Sequence, residues 1–182
     1  MSSGSVRSDS ADASIPAPVA WGDAHPHSHL VQFYEDDSFL IDSLARWFAD
    51  GLNAGDSCLY IGTDDHRTSL EQQLTNRGID LVRVRAERRY VCLDAAAMLS
   101  DFMVDEWPNE ALFVRTLEDL LATVSRSGSV RAFGEMVALL WKLGNRQAAI
   151  RLEEIWNAFM KTHALSLCCA YPMNAFGSDA DS

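Results

Sequence analysis

The chain has few residues that cross-link or bind metal, and their spacing is not that of a metal site. Its four cysteines are Cys58, Cys92, Cys168 and Cys169. None of them forms a Cys-x-x-Cys pair, and most lie in apolar runs, where a free thiol behaves as a small hydrophobic side chain. We therefore expect free thiols and a reducing, cytoplasmic location.

Positive charge is also scarce. The chain carries 15 Lys and Arg against 26 Asp and Glu, which gives a net charge of −11. Such a field repels a polyanion and removes most of the counterion-release contribution to nucleic-acid binding. Direct binding of DNA or RNA is therefore not expected.

Long hydrophobic runs are missing as well. No apolar segment reaches the roughly 20 residues that a membrane helix needs, and the N-terminus lacks the order of a secretory signal, so we expect no membrane partner. With 48% hydrophobic residues the chain can nevertheless bury one core. We predict a domain at residues 24–177 between disordered tails at 1–23 and 178–182.

Short apolar runs alternate with segments of helical period from Leu30 onward. This pattern predicts an α/β fold in three layers, with a mostly parallel central sheet and helices on both faces. Strands are predicted at residues 30–34, 58–62, 80–85, 130–133 and 165–171. Because Val and Arg alternate at residues 80–85, we predict that this strand lies near an edge of the sheet. Because residues 165–171 are all apolar or small, we predict that this strand lies in the sheet's centre. Helix ends are predicted at Gly55 and Gly78, and helix caps at Asp94 and Asn145.

The first strand-to-helix turn holds three carboxylates, Glu35, Asp36 and Asp37. In nucleotide-binding α/β domains this turn is a Gly-rich loop with a Lys that holds phosphates. Carboxylates there repel a phosphate but favour the helix N-terminus. We therefore expect a binding or sensing module and not an enzyme.

Four segments carry a family resemblance: HLVQFYEDD at 29–37, GLNAG at 51–55, GEMVALLWKLGN at 134–145 and LEEIWN at 152–157. Through them the chain resembles the MEDS family, the sensory domain of methanogen and methylotroph regulators. The resemblance covers about residues 27 to 176. It implies a relation to RecA/KaiC-like ATPases and a role in sensing small hydrocarbon derivatives, beside kinases, anti-sigma factors or DNA-binding domains.

Ligands of open parallel sheets bind beyond the carboxyl ends of the strands. With the family motifs, this rule selects the candidate ligand-binding residues. They are His29, Tyr34, Glu35, Asp36, Thr63, Asp64, Glu135, Met136, Trp141 and Tyr171. Aromatic rings beside carboxylates suit a small organic or cationic ligand. The alternative is that these residues are helix caps and core aromatics.

Glu135 has the most favourable position, directly after a predicted strand. It is either a pocket residue or a structural hydrogen-bond partner, and catalysis is less favoured because no phosphate loop accompanies it. Glu153 and Glu154 are expected on a solvated face, and Cys168 and Cys169 on opposite faces of a strand.

Three histidines, His25, His27 and His29, alternate near Asp23 and offer metal-ligand atoms. Pro26 argues against a preformed site, so we predict no metal and no cofactor. His29 is expected instead to fix the start of the first strand by a ring hydrogen bond.

Three functional hypotheses follow. The preferred one is a non-catalytic sensory domain that binds a small organic ligand and relays the change to a kinase, anti-sigma factor or transcription regulator. The first alternative is a protein-interaction module without a ligand, for such a partner or for a second copy of the chain. The second alternative is a degenerate ATPase-like enzyme that uses Glu135.

Overall fold

The computed structural model of the protein describes residues 28–124 and 128–173. The predicted tails, and His25 and His27, lie outside the described residues. The helices and strands, in chain order, are β1 (His29–Tyr34), α1 (Asp37–Ala54), β2 (Ser57–Gly62), α2 (Asp64–Asn76), α3 (Leu81–Ala86), β3 (Tyr90–Asp94), α4 (Ala95–Phe102), β4 (Met103–Val104), β5 (Trp107–Pro108), α5 (Glu110–Thr123), β6 (Val130–Gly134), α6 (Met136–Lys142), α7 (Arg146–Met160) and β7 (Leu165–Pro172).

Within the described residues, five strands form a parallel sheet in the order β1-β7-β6-β2-β3, and β4 pairs with β5 in a short antiparallel hairpin. β7 lies in the interior of the sheet and is buried from Leu165 to Tyr171. Its unbroken apolar sequence is typical of a strand covered on both faces, as predicted. The α/β prediction is confirmed.

Two hydrophobic cores lie on opposite faces of the sheet. Helices α1 to α3 cover one face, where Phe48 packs near Tyr60 and Cys168. Helices α4 to α7 cover the other, where Trp156 packs near Ile61 and Cys169. Neighbouring strand residues point to opposite faces, so Cys168 and Cys169 belong to different cores, as predicted.

The prediction of a strand at residues 80–85 is wrong. These residues belong to α3, whose N-cap Asp80 accepts a hydrogen bond from Arg83 N at 3.0 Å. Val84 is 1% exposed and Val82 is 80% exposed, so one side of a short helix is buried. The strand that pairs with β2 is β3, further along the chain, and it occupies the sheet edge.

The predicted helix ends are confirmed in several places. Gly55 ends α1 with φ of 96°, a left-handed conformation that glycine adopts without steric cost. Asp94 and Asn145 cap α4 and α7, because their side chains accept hydrogen bonds from Ala97 N and Ala148 N. Among the described residues, no helix combines the length and apolarity required to cross a membrane.

Candidate ligand-binding site

A pocket of about 710 Å³ opens at the carboxyl end of the sheet. Strands β2 and β6 are neighbours there, but β2 continues into α2 on one face and β6 into α6 on the other. Adjacent strands whose helices leave in opposite directions create a crevice between them. Topology therefore produces this pocket at the site that the sequence analysis selected.

Glu135 is the central charged residue of the pocket and is only 4% exposed. It follows β6, and its backbone N–H donates to Ile61 O at 2.9 Å, which continues the pairing with β2. Its Oε2 accepts a hydrogen bond from Thr63 N at 2.9 Å, and its Oε1 accepts one from His66 Nδ1 at 2.6 Å. These donors compensate the burial of the carboxylate.

The Tyr60 hydroxyl also lies next to the Glu135 carboxylate. The Tyr60 hydroxyl donates to Thr63 O at 2.8 Å and lies 3.4 Å from Glu135 Oε2, and its ring stacks on Phe133. Burial raises the pKa of Tyr60, which stays a neutral donor. A Cβ atom at Gly62 would overlap both Glu135 Oε2 and the Tyr60 hydroxyl. The close approach therefore requires glycine at position 62.

His66, in the first turns of α2, completes an ion pair with Glu135. Its Nε2 lies 3.4 Å from Asp37 Oδ1, so both ring nitrogens face carboxylates. The hydrogen bond to Glu135 is the main reason that the pKa of His66 rises to about 8, against the opposing effect of burial. At neutral pH the ring is therefore mostly the imidazolium cation.

Aromatic and cationic side chains form the walls. Tyr34 ends β1 and meets the His66 ring edge-on, with centroids 6.3 Å apart. Burial, and next the charge of Glu135, raises the pKa of Tyr34. On the other side, Arg146 lies 5.5 Å from the Trp141 ring centroid, and Lys142 is exposed at the rim.

A helix break lies between Trp141 and α7. α6 ends at Lys142, Gly144 has φ of 81°, and α7 begins at Arg146. The break brings side chains from both helices to the pocket.

Four of the predicted residues line this pocket: Tyr34, Thr63, Glu135 and Trp141. The sequence analysis missed further lining residues that carry charge or a titratable ring: Asp37, Asp65, His66, Lys142 and Arg146. The signal for His66 was its position one turn after Thr63, because the first turn of a helix that follows a strand remains at the carboxyl edge.

Four other predicted residues lie outside the pocket. Glu35 and Asp36 border a separate surface cleft, where Asp36 caps α1 by accepting a hydrogen bond from Ser38 N at 2.7 Å. A hydrogen bond with the Ser38 side chain, and next the one with Ser38 N, lowers the pKa of Asp36. Asp64 pairs with Arg67 at 3.0 Å. Met136, the first residue of α6, is buried in the core.

His29 and Tyr171 meet in a second cluster, around Glu153. His29 Nδ1 lies 2.9 Å from Asn157 Oδ1, which agrees with the predicted ring hydrogen bond. The Tyr171 hydroxyl donates to Glu153, which is only partly exposed. A solvated face is therefore correct for Glu154 and wrong for Glu153.

The comparisons with known proteins agree with the sequence motifs. The family model described as "MEthanogen/methylotroph, DcmR Sensory domain" matches residues 28–181. The chain belongs to the MEDS family. No curated protein sequence matches this MEDS chain.

One solved structure similar to the MEDS chain is that of an uncharacterized protein from Pyrococcus horikoshii, described as a complex with an unknown peptide. The two chains superpose with a TM-score of 0.61 at 12% identity, over 81% of this chain and 69% of the other. At this identity the similarity shows a shared fold.

Proposed function

We propose that this MEDS domain is a non-catalytic sensory module that binds a small organic ligand and relays binding to a separate signalling protein. The family is a sensory-domain family, which supports the general role. The single observation that carries the proposal is the buried Glu135–His66 ion pair at the pocket between β2 and β6. Polar and charged groups that converge in a concavity beside apolar and aromatic wall residues are typical of small-molecule sites.

The lining favours a ligand that has one polar group and a small apolar body. The donors proposed for the polar group are His66 Nε2, which also faces Asp37 Oδ1 at 3.4 Å, and the cationic side chains of Lys142 and Arg146. Tyr34, Leu139 and Trp141 offer apolar and aromatic surface to the body. A pocket of about 710 Å³ is within the usual range for such ligands. A derivative of a simple hydrocarbon, such as an alcohol, fits this description.

The absence of catalysis is part of the proposal. The family motifs imply a relation to RecA/KaiC-like ATPases, and in nucleotide-binding α/β domains the first strand-to-helix turn holds phosphates. Here Asp36 caps α1 and Asp37 faces His66, so carboxylates occupy that turn. They disfavour a triphosphate, which supports recognition instead of turnover.

The relay is proposed to pass through α6 and α7. Trp141 and Lys142 on α6 and Arg146 on α7 all line the pocket, on either side of the break at Gly144. A ligand that contacts both helices changes their relative position. The outer surfaces of these helices then present the signal to a cytoplasmic kinase, anti-sigma factor or transcription regulator.

A thermal-shift screen of small alcohols, amines and acids tests the proposal. A ligand at 100 times its dissociation constant stabilises the fold by about 2.7 kcal/mol, so a true ligand gives a clear shift. The shift is expected to disappear in Glu135→Gln and to persist in the control Glu154→Gln, whose side chain is exposed. Equal shifts in both variants, or no shift from any compound, would count against a sensory pocket.

A second candidate is peptide binding at the edge strand β1. Val31, Phe33, Phe39 and Met173 are large exposed hydrophobic residues on or near this strand. In the sheet formed by the described residues, β1 is the outermost strand, next to β7. The Pyrococcus horikoshii structure, described as a peptide complex, also favours this function. A peptide-display selection tests it, because Phe33→Asp should abolish binding while Glu135→Gln leaves it intact.

A further inference from the structure

A histidine, a glutamate and a cysteine side chain lie close together on the face of β7 that α1 does not cover. His29 lies on β1, Glu153 on α7 and Cys169 on β7, and one ligand atom from each lies within 4.8 Å of the other two. We propose that His29, Glu153 and Cys169 bind a divalent transition metal ion. A nitrogen, an oxygen and a sulfur donor together favour Zn²⁺ among the common ions.

The separations fit a tetrahedral ion. His29 Nε2 lies 3.4 Å from Cys169 Sγ and 3.6 Å from Glu153 Oε2. Zinc–ligand distances of about 2.0 to 2.3 Å at tetrahedral angles place neighbouring ligand atoms roughly 3.3 to 3.6 Å apart. The Cys169 and Glu153 ligand atoms lie within 4.8 Å of each other, so a local side-chain adjustment brings all three atoms around one ion.

Neighbouring residues leave the coordinating atoms available. Asn157 Oδ1 lies 2.9 Å from His29 Nδ1, so the ring donates its proton there and Nε2 keeps a lone pair. The Tyr171 hydroxyl donates to Glu153 Oε1, and Oε2 is the oxygen nearest to His29. Metal-bound histidines and carboxylates are commonly oriented by such outer hydrogen bonds.

The scaffold is rigid because all three ligands lie on regular elements. β1 and β7 are paired in parallel from His29 to Tyr34, and α7 packs over β7 in the same core as Cys169. His29 and Glu153 are partly exposed, so an ion has access and a fourth position remains for water. On coordination, the thiol proton of Cys169 is released to solvent and a metal–thiolate bond replaces it.

This proposed metal site differs from the prediction, made from the sequence, that the chain binds no metal. The sequence analysis considered Cys-x-x-Cys spacing and the neighbouring histidines, whereas these ligands are 124 and 16 residues apart along the chain. The β1–β7 pairing brings His29 near Cys169, and the packing of α7 over β7 adds Glu153.

Cobalt and zinc titrations of the chelator-treated full chain test the proposal. Co²⁺ is expected to give a thiolate-to-cobalt charge-transfer band that saturates at one ion per chain, and Zn²⁺ should remove it. Cys169→Ser should lose the band. Cys168→Ser, the adjacent buried cysteine on the other face, should keep it. Circular dichroism of each variant without metal confirms folding.

Further variants separate this site from adventitious binding. His29→Gln and Glu153→Gln should each weaken Zn²⁺ affinity at least tenfold, and Asn157→Ala should weaken it about 10- to 100-fold. The proposal is overturned if the wild type shows no charge-transfer band, or if Cys168→Ser and Cys169→Ser behave alike.

Discussion

Glu135 stands out because a nearly buried carboxylate usually destabilises a fold unless several donors surround it. Here the N–H of Thr63 and the ring of His66 provide them, at 2.9 and 2.6 Å. The pair is nearly neutral as a unit, so the pocket floor offers directed hydrogen bonds without a large net charge. This arrangement suits a small ligand with a single polar group.

The first prediction concerns pH. The pKa of His66 is raised from 6.5 to about 8, so the imidazolium stabilises the fold. A raised pKa gives stability that is complete below pH 6.5 and lost as pH rises through 8. From the size of the shift, we expect a loss of about 2 kcal/mol between pH 6 and 9. NMR titration of the His66 Cε1–H signal measures the pKa directly.

Glu135→Gln is the matched variant for this titration. Removing the carboxylate takes away the largest cause of the shift, so the pKa of His66 should fall toward 6.5. The pH dependence of unfolding should weaken with it. An unchanged His66 pKa in Glu135→Gln would show that the ion pair does not exist in solution.

The second prediction concerns Gly62. In Gly62→Ala the added methyl group overlaps Glu135 Oε2 and the Tyr60 hydroxyl, and both are buried. Overpacking of this kind should cost about 1 to 3 kcal/mol and lower the pKa of His66 by displacing its partner. Urea denaturation and the same NMR titration measure the two effects.

Gly134→Ala, one residue before Glu135, is the control. A Cβ atom there meets nothing within 4 Å, so stability should be unchanged or slightly higher. If both alanine variants lost stability equally, a general intolerance of side chains at the strand ends would explain the result better than crowding of Glu135.

Helix α1 is fixed at the end of the sheet opposite the pocket. Arg131, on β6, donates through Nε to Asp56 Oδ2 and through Nη1 to Trp47 O, both at 2.9 Å. Asp56 Oδ1 accepts from Ser129 N at 3.0 Å. These bonds connect the loop after α1 to the start of β6. The side chains of Arg131 and Asp56 are only partly exposed.

The third prediction concerns these hydrogen bonds of Arg131. Arg131→Met removes charge-assisted hydrogen bonds of low exposure and should cost about 2 kcal/mol in urea denaturation. Arg46→Met removes an exposed pair with Asp42 on α1 and should cost at most about 0.5 kcal/mol. Ligand binding should survive in both variants, because neither residue lines the pocket. Equal losses of stability in Arg131→Met and Arg46→Met would contradict the importance of the Arg131 hydrogen bonds.

Element prediction from sequence succeeded where pattern and packing agree. The continuous apolar run of β7 and the spacing of Leu44, Phe48 and Leu52 on α1 predict their burial directly. Residues 80–85 show the opposite case. Two valines alternating with arginines satisfy a strand pattern, but pairing with β2 is taken by Tyr90–Asp94, which the local pattern does not reveal.

The position of the pocket could be predicted from the sequence, but only some of its lining residues could. Strand ends place Tyr34, Thr63 and Glu135 at one edge, because parallel strands share a direction. The contacts of His66 depend on which face α2 covers, and the positions of Lys142 and Arg146 depend on how α6 and α7 meet. Sequence order alone does not fix these arrangements. The residues that form the pocket walls are therefore defined only when the helices are packed on the sheet.

The central claim is that the pocket between β2 and β6 recognises a small organic molecule. A crystal structure of the chain with the compound that gives the largest thermal shift tests it most directly. The account predicts that compound within the pocket, its polar atom within hydrogen-bonding distance of His66 or Glu135 and its apolar part against Tyr34 or Trp141. A compound bound elsewhere with the pocket unoccupied, or a nucleotide bound along residues 34–38, would contradict it.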